Sequence, residues 1–178
     1  RMKKSELICN PDGSIYHLAL HKGDLAETII TVGDQDRVGE ISKHFDSIEL
    51  EKNNREFRTH TGFLNGKRLS VISTGIGTDN IDIVLNEIQC LFNRDLSTGE
   101  SLNHTTLNFI RLGTSGTVRE GIEVNSILAS QAALGYDGLL HFYKNQLSEK
   151  EVEEILNTNP ELKNLPKPYF ALADSGLL

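Results

Sequence analysis

Apolar stretches alternate with polar, glycine-bearing segments along much of the chain. Residues 28–32 are β-branched throughout and predict a buried strand. Residues 57–64 and 67–73 flank Asn65-Gly66, a dipeptide that is typical of a tight hairpin turn. These segments therefore predict a strand followed, after one intervening element, by a β-hairpin.

Three other segments show helical spacing of their apolar residues. Asp34 is placed to cap a helix over residues 35–45, and a second helix is expected over residues 80–92. Near the end of the chain, Ser148 and Glu151 fit a capping box at the start of a last helix.

The remaining segments complete the predicted topology. Residues 93–106 are polar and predict a surface loop, whereas 107–112, 122–133 and 139–143 predict strands. Strands that alternate with helices indicate an α/β fold with a mixed, partly parallel central sheet flanked by helices. The pattern shows no domain boundary, so residues 1–178 are expected to form a single domain.

Charge and composition exclude several classes of function. The net charge of −7 disfavours a nucleic-acid partner, because the phosphate backbone would be repelled. No apolar run approaches the ~18 residues that a membrane span needs, and none follows the basic N-terminus as a secretory signal would. Cys9 and Cys90 are too far apart in sequence for a zinc motif and read as free thiols. We therefore expect a cytoplasmic protein with no membrane partner.

Three predicted strands end in turns that contain glycine. These turns are Gly33-Asp34, Gly75-Ile76-Gly77 and the segment from Gly113 to Gly116. Ligands of open α/β sheets bind beyond the carboxyl ends of the strands, where glycine lets backbone N–H groups approach an anion. One such turn is usually only a turn, but three together indicate a small-anion site.

Arginines lie beside these turns. Arg37 falls on the first turn of the predicted helix, and Arg55 precedes a strand. Arg111 stands between Ile110 and Leu112 in an apolar strand, and a buried arginine must either find a partner or face a site. A single arginine is ordinarily a solvated surface group, so the residues alone support an anion site without defining its chemistry.

Other motifs that the chain suggests are incomplete. The turn after Arg111 lacks the glycine at Thr117 that a nucleophile elbow requires. Asn80 stands where a dinucleotide fingerprint has its third glycine. His17 and His21 are four residues apart but lack the pattern of a zinc-binding helix.

Several segments, in order, resemble the uridine phosphorylase branch of the nucleoside phosphorylase family. The segment Val32–Val38 is similar to the family's Pro-Gly-Asp-Pro-Asp-Arg-Val, with Val32 in place of proline. The resemblance spans about residues 16 to 143, and its motifs are Tyr16–Leu20, Lys22–Leu25, Val32–Val38, Arg55–Phe57, Ser73–Gly77, Arg111–Gly116 and Asp137–Phe142.

The resemblance implies a set of residues that bind phosphate. The Gly33 backbone N–H, Arg37, Arg111 and Thr114 would hold the phosphate of their own subunit, whereas Arg55 would reach that of a neighbouring subunit. Arg111 and Thr114 would be the catalytic residues. Inorganic phosphate would be a co-substrate, and no cofactor is implied apart from the monovalent cation described below.

The resemblance also implies residues that bind the nucleoside. His17 would reach across to the ribose 5′-hydroxyl of a neighbouring subunit, and Thr114 would contact the ribose. Ser115 and Gly116 would line the base pocket. The chain would act as a homodimer that assembles further, into a hexamer.

A monovalent cation at the dimer contact is a further implication of the resemblance. Glu56 and the Ile76 carbonyl would help to bind it. The third position is Asn80, where relatives carry serine.

The function that the resemblance implies is phosphorolysis of a pyrimidine nucleoside, in which uridine and phosphate give uracil and ribose 1-phosphate for salvage. A purine nucleoside phosphorylase and a nucleosidase that uses water are alternatives, although the three arginines argue against water. A non-catalytic phosphate-binding or assembly module is an alternative of another class. The family residues that bind the ribose hydroxyls and uracil would lie beyond Leu178, so the chain is expected to be the N-terminal part of such a domain.

Overall fold

The computed structural model describes residues 7–144 and 149–177. The chain divides into two compact units, Arg1–Thr114 and Ser115–Leu178. The sequence pattern carries no sign of a boundary at this point, and each unit is described in turn.

The first unit is built on a five-stranded sheet with the strand order β2-β3-β4-β1-β5. β1 runs parallel to both β4 and β5, whereas β2, β3 and β4 pair antiparallel. The sheet is therefore mixed and partly parallel, which confirms the predicted fold class. The strands are β1 Thr28–Val32, β2 Ser47–Asn54, β3 Phe57–Leu64, β4 Lys67–Ser73 and β5 Asn108–Arg111, and the helices are α1 Asp36–Ser42 and α2 Thr78–Asn93.

β1 and the β3–β4 hairpin have the predicted bounds, because β-branched runs and an Asn-Gly turn act locally. β2 was not predicted. It lies at one edge of the sheet, and its exposed and half-exposed positions include Glu49, Glu51 and Lys52. Charged residues on an edge strand hide the apolar alternation by which strands are recognised.

The helices differ from their predictions mainly at their ends. α1 is shorter than expected, and Asp34 lies two residues before its first residue, where Oδ1 accepts the Asp36 N–H at 2.9 Å. α2 buries Val84, Ile88 and Leu91, which lie at helical spacing. Residues 94–107 contain no helix or strand longer than an isolated bridge, which confirms the predicted loop.

The core lies on both faces of the sheet. Ile72 packs with residues of α2 such as Ile88, whereas the adjacent Val71 packs with Val38 of α1. Successive residues of a strand point to opposite faces, so this alternation places one helix on each side. The two helices thereby fix the carboxyl ends of the parallel strands.

The second unit contains a short antiparallel pair, β6 Ala132–Gly135 and β7 Tyr169–Leu172, and the helix α3 Glu149–Thr158. Two 3-10 helices, Leu139–Phe142 and Pro160–Asn164, complete it. Ser148, predicted to cap the last helix, lies outside the described residues.

The predicted strand over residues 122–133 is wrong except at residues 132 and 133, which begin β6, and the predicted strand over residues 139–143 is wrong. Residues 122–131 are irregular, and Val124 and Ile127 are 90% and 98% exposed. Their alternating pattern suits a strand, but a strand requires a hydrogen-bonded neighbour, and none pairs with them within the described ranges. Residues 139–142 form a 3-10 helix, because Gly138 adopts φ +81° and Asp137 Oδ1 accepts the Leu139 N–H at 2.9 Å.

Within residues 7–144 and 149–177, no helix is long and apolar enough to cross a membrane.

Stability is expected to fall below about pH 6.5, because His60 is 3% exposed and held neutral. Burial lowers its pKa, the Arg58 guanidinium lowers it further, and the Glu51 carboxylate acts in the opposite direction. Once the pH falls below the pKa that His60 has in the unfolded chain, the unfolded chain binds more protons than the folded chain. The free energy of unfolding is therefore largest above that pKa and decreases on acidification. Unfolding temperatures measured at pH 7.5 and 5.5 test this.

The variant His60→Asn should unfold at a lower temperature than the wild type at pH 7.5. Its unfolding temperature should fall less than that of the wild type between pH 7.5 and 5.5. His44 is exposed, so His44→Gln is the matched control and should keep the wild-type pH dependence. Equal pH dependence in His60→Asn and the wild type would contradict the assignment.

Candidate active site

A cleft lies at the carboxyl ends of the parallel strands. Register pairs Val32 with Ser73 and Thr31 with Arg111, so β1, β4 and β5 all end at the same edge of the sheet. The cleft has a volume of about 530 Å³, and every lining residue belongs to the first unit. The lining residues are Gly33, Asp34, Gln35, Arg37, Glu56, Gly75, Ile76, Asn80, Arg111, Gly113 and Thr114.

The Arg111 guanidinium lies beside two of the glycine turns. A Cβ atom added at Gly33 would lie 3.6 Å from Arg111 Nη2, and one added at Gly113 would lie 3.9 Å from the same atom. Because neither glycine carries a side chain, the guanidinium and the turn backbones share one small space. Planar N–H donors beside open backbone suit the oxygens of an oxyanion.

Arg111 is not buried, contrary to the expectation from its apolar neighbours. Among the described residues, β5 is one of the two edge strands of the sheet, and Ile110 and Leu112 are themselves 38% and 45% exposed. An edge strand has a neighbour on one side only, so an apolar run there does not become fully enclosed. Arg111 does face the cleft, in keeping with the expectation that this arginine either finds a partner or faces a site.

Charges in the cleft are balanced. Arg37, half-buried on α1, and Arg111 supply two positive charges, whereas Asp34 and Glu56 supply two negative charges. The Asp34 carboxylate already accepts the Asp36 N–H. An anion is therefore attracted by the local placement of the guanidinium groups and not by an excess of positive charge.

Gly75 and Ile76 also line the cleft, and the turn Gly75-Ile76-Gly77 leads into α2. Asn80 Nδ2 donates to the Ile76 carbonyl at 3.3 Å, and a Cβ atom added at Gly75 would lie 3.0 Å from Glu56 Cγ. The three residues expected at a cation site, Glu56, Ile76 and Asn80, are thus brought together.

Gly75→Ala is expected to destabilise the fold by about 1–2 kcal/mol. Gly75 has φ +69°, which an alanine adopts only with strain, and the new Cβ would lie 2.6 Å from Asn80 Nδ2. Gly33→Ala is the matched control, because its Cβ would make only van der Waals contacts, at 3.6 and 3.8 Å. Urea unfolding midpoints measure both changes, and equal midpoints would contradict the prediction.

His17 and Arg55 do not line the cleft. The Arg55 guanidinium lies 5.5 Å from the centre of the Tyr16 ring, and the Tyr16 and His17 rings meet edge to face at 4.8 Å. Gln35 joins this region to the cleft, since its Nε2 donates to the Arg55 carbonyl at 3.0 Å. The two residues expected to serve a neighbouring subunit thus share a surface outside their own cleft.

Thr114 lines the cleft and is the last residue of the first unit. Ser115 and Gly116 begin the second unit and are exposed. Their contact with a base stays a prediction.

Two residues with clear structural roles are not predicted by any sequence pattern. Glu87 of α2 accepts hydrogen bonds from His17, and Gln35 bridges to Arg55. Both are ordinary polar residues in the sequence, and their partners lie 70 and 20 residues away, so local patterns carry no sign of either contact.

The family model of the phosphorylase superfamily matches residues 27–178. The chain therefore belongs to the phosphorylase superfamily, and the resemblance to nucleoside phosphorylases is confirmed.

Named relatives agree with this family. The chain is 34% identical over 127 residues to uridine phosphorylase of Thermococcus kodakarensis. This match covers 71% of this chain and 41% of the relative. It is 35% identical over 131 residues to the Escherichia coli uridine phosphorylase, and this match covers 72% of this chain and 47% of the relative. A DeoD-type purine nucleoside phosphorylase of Alkaliphilus metalliredigens is 32% identical over 118 residues, and this match covers 66% of this chain and 46% of the relative. The chain thus spans about half the length of these relatives.

The fold has a solved counterpart. A nucleoside phosphorylase of Trypanosoma brucei, described as showing uridine phosphorylase activity, superposes with a TM-score of 0.86 at 32% identity. The match covers 96% of this chain and 59% of the solved chain.

Proposed function

We propose that this chain belongs to a cytoplasmic enzyme that cleaves uridine with phosphate, giving uracil and ribose 1-phosphate. The observation that carries the proposal is the Arg111 guanidinium beside the Gly33 and Gly113 turns, with Arg37 in the same cleft. The named uridine phosphorylases support the choice of substrate.

The reaction suits such a cleft, because the protein need not form a covalent bond. The glycosidic bond breaks as positive charge develops on the sugar, and a phosphate oxygen bonds to the anomeric carbon. The electron pair of the broken bond leaves with the base, which then takes up a proton. The protein must therefore hold phosphate in position and stabilise charge. Arg37, Arg111, Thr114 and the Gly33 N–H would supply these contacts.

The balanced charge of the cleft supports a role for Arg55 across a subunit contact. Two guanidinium groups and two carboxylates leave the cleft without an excess of positive charge for a phosphate dianion, and a third arginine would supply one. Arg55 lies on an outer surface beside Tyr16. A homodimer that places Arg55 of one subunit at the cleft of the other, and assembles further into a hexamer, would complete the site.

The nucleoside would lie above the phosphate. Thr114, at the edge of the cleft, would contact the ribose, and Ser115 and Gly116 would line the base pocket. His17, on the same outer surface as Arg55, would reach the ribose 5′-hydroxyl of the neighbouring subunit.

A monovalent cation fits these residues only in part. Oxygen atoms bind such cations, but Asn80 turns its Nδ2 donor, not its amide oxygen, toward the Ile76 carbonyl. Within the described residues, no group of three or more His, Cys, Asp or Glu side chains is placed to hold a metal ion. We derive no step of the reaction through a cation.

The DeoD-type relative favours purine nucleosides as the second candidate substrate. An assay with saturating phosphate and either uridine or inosine separates the two, with free base and ribose 1-phosphate as readouts. A kcat/KM for uridine at least tenfold above that for inosine is expected. A preference for inosine would move the protein to the purine branch, and phosphate binding without turnover of either would indicate a binding module.

A further inference from the structure

The Glu87 carboxylate is an unusual feature of α2, because it faces the N-terminal segment and not solvent. Its side chain is 14% exposed, and it accepts the backbone N–H groups of His17 at 3.1 Å and of Leu18 at 3.0 Å. His17 Nδ1 lies 2.6 Å from Glu87 Oε1. One carboxylate therefore fixes both the backbone and the ring of His17.

This contact decides which ring nitrogen carries the proton. An ionised carboxylate only accepts hydrogen bonds, so His17 Nδ1 must carry a hydrogen. In the neutral ring, Nε2 is then the unprotonated nitrogen and presents a lone pair. The side chain of His17 is 28% exposed, so a ligand can approach that ring.

The rest of the segment is held as firmly. Asn54 Nδ2, at the end of β2, donates to the His17 carbonyl at 2.7 Å. The Tyr16 ring meets the His17 ring edge to face and also lies beneath the Arg55 guanidinium. His17 is therefore fixed from α2 on one side and from β2 on the other.

We propose that Glu87 is a positioning residue that locks His17 in the Nδ1–H tautomer, so that Nε2 accepts a hydrogen bond from a ligand hydroxyl. This inference rests on the proposed function in one respect, the identity of that hydroxyl as the ribose 5′-hydroxyl. The tautomer itself follows from the contacts of Glu87 alone.

The variant Glu87→Gln tests the tautomer directly. The Gln oxygen still accepts from the backbone N–H groups of His17 and Leu18, whereas its NH₂ group would face Nδ1 and donate to it. The proton must then move to Nε2. Nuclear magnetic resonance of ¹⁵N-labelled histidine rings identifies the protonated nitrogen, and His17→Gln assigns the signal.

The wild type should show His17 protonated at Nδ1, and Glu87→Gln should show it protonated at Nε2. Asp24→Asn is the matched control, because Asp24 lies beside a different histidine, with Oδ2 3.7 Å from His21 Nδ1. It should leave the His17 signals unchanged. A wild type protonated at Nε2, or an unchanged tautomer in Glu87→Gln, would overturn the proposal.

Kinetics with 5′-deoxyuridine, which lacks the 5′-hydroxyl, test whether this hydroxyl is the group that His17 Nε2 contacts. In Glu87→Gln that hydroxyl meets an N–H where it previously met a lone pair and must turn from donating to accepting, so the preference for uridine over 5′-deoxyuridine should fall about threefold to tenfold. The KM for phosphate should stay unchanged. A purely structural role would lower kcat/KM for both nucleosides equally and leave the preference intact, which would overturn the ligand assignment.

A wild type that cleaves neither nucleoside would contradict the proposed function, but the role of Glu87 could still be tested by binding. Calorimetric binding of uridine and 5′-deoxyuridine to wild type and Glu87→Gln would then replace kcat/KM. The same loss of preference would support the inference, and an unchanged preference would overturn it.

Discussion

Arg111→Gln is expected to lower kcat/KM for phosphate by about 10²–10³-fold, the cost of removing one preorganised donor to a reacting oxyanion. Arg111 is exposed on the edge strand β5, so the substitution removes the positive charge and three of the five N–H donors without opening a cavity in the core. Steady-state rates at varied phosphate concentration measure the effect, and unfolding temperature should be close to that of the wild type.

Two variants sharpen this test. Arg111→Lys keeps the charge but loses the planar fork, so its kcat/KM should lie between the wild type and Arg111→Gln. Arg119→Gln removes an exposed arginine that does not line the cleft and should behave as the wild type. A wild-type KM for phosphate in Arg111→Gln would contradict the site.

Mixing two inactive variants is expected to restore activity. If Arg55 acts across a dimer contact, a subunit with Arg55→Gln keeps its own Arg111 and receives Arg55 from a partner that carries Arg111→Gln. Random reassembly of equal amounts makes half of the dimers mixed, with one complete site in each, so about a quarter of wild-type activity should return.

The measurement requires the two variants to be dissociated, mixed and reassembled, with each variant treated alone as the control. Activity that rises only in the mixture supports the shared site. No rise above the separate variants, from a mixture shown to contain mixed dimers, would place Arg55 within its own subunit or outside the site.

Local chemistry explains the elements that the sequence predicted well. β1 consists of β-branched residues, and the β3–β4 hairpin turns at Asn65-Gly66, where Asn65 has φ +51° and Gly66 φ +73°. Both signals act within a few residues. Residues 122–131 carry an equally local alternation, yet they are irregular, because strand formation also depends on a partner that the pattern does not reveal.

The candidate site was predictable as far as it depends on strand ends. Gly33, Arg37, Arg111 and Thr114 line one cleft because β1 and β5 are parallel and finish at the same edge. The exposure of Arg111 was not predictable, since it depends on β5 being an edge strand. Glu87 was missed because its contact with His17 joins residues that are distant in sequence.

Release of uracil from uridine, with and without phosphate, on protein of verified intact mass tests the central claim most directly. We expect release only with phosphate, with one ribose 1-phosphate formed for each uracil. Release at the same rate without phosphate, giving free ribose, would contradict it and identify water as the nucleophile.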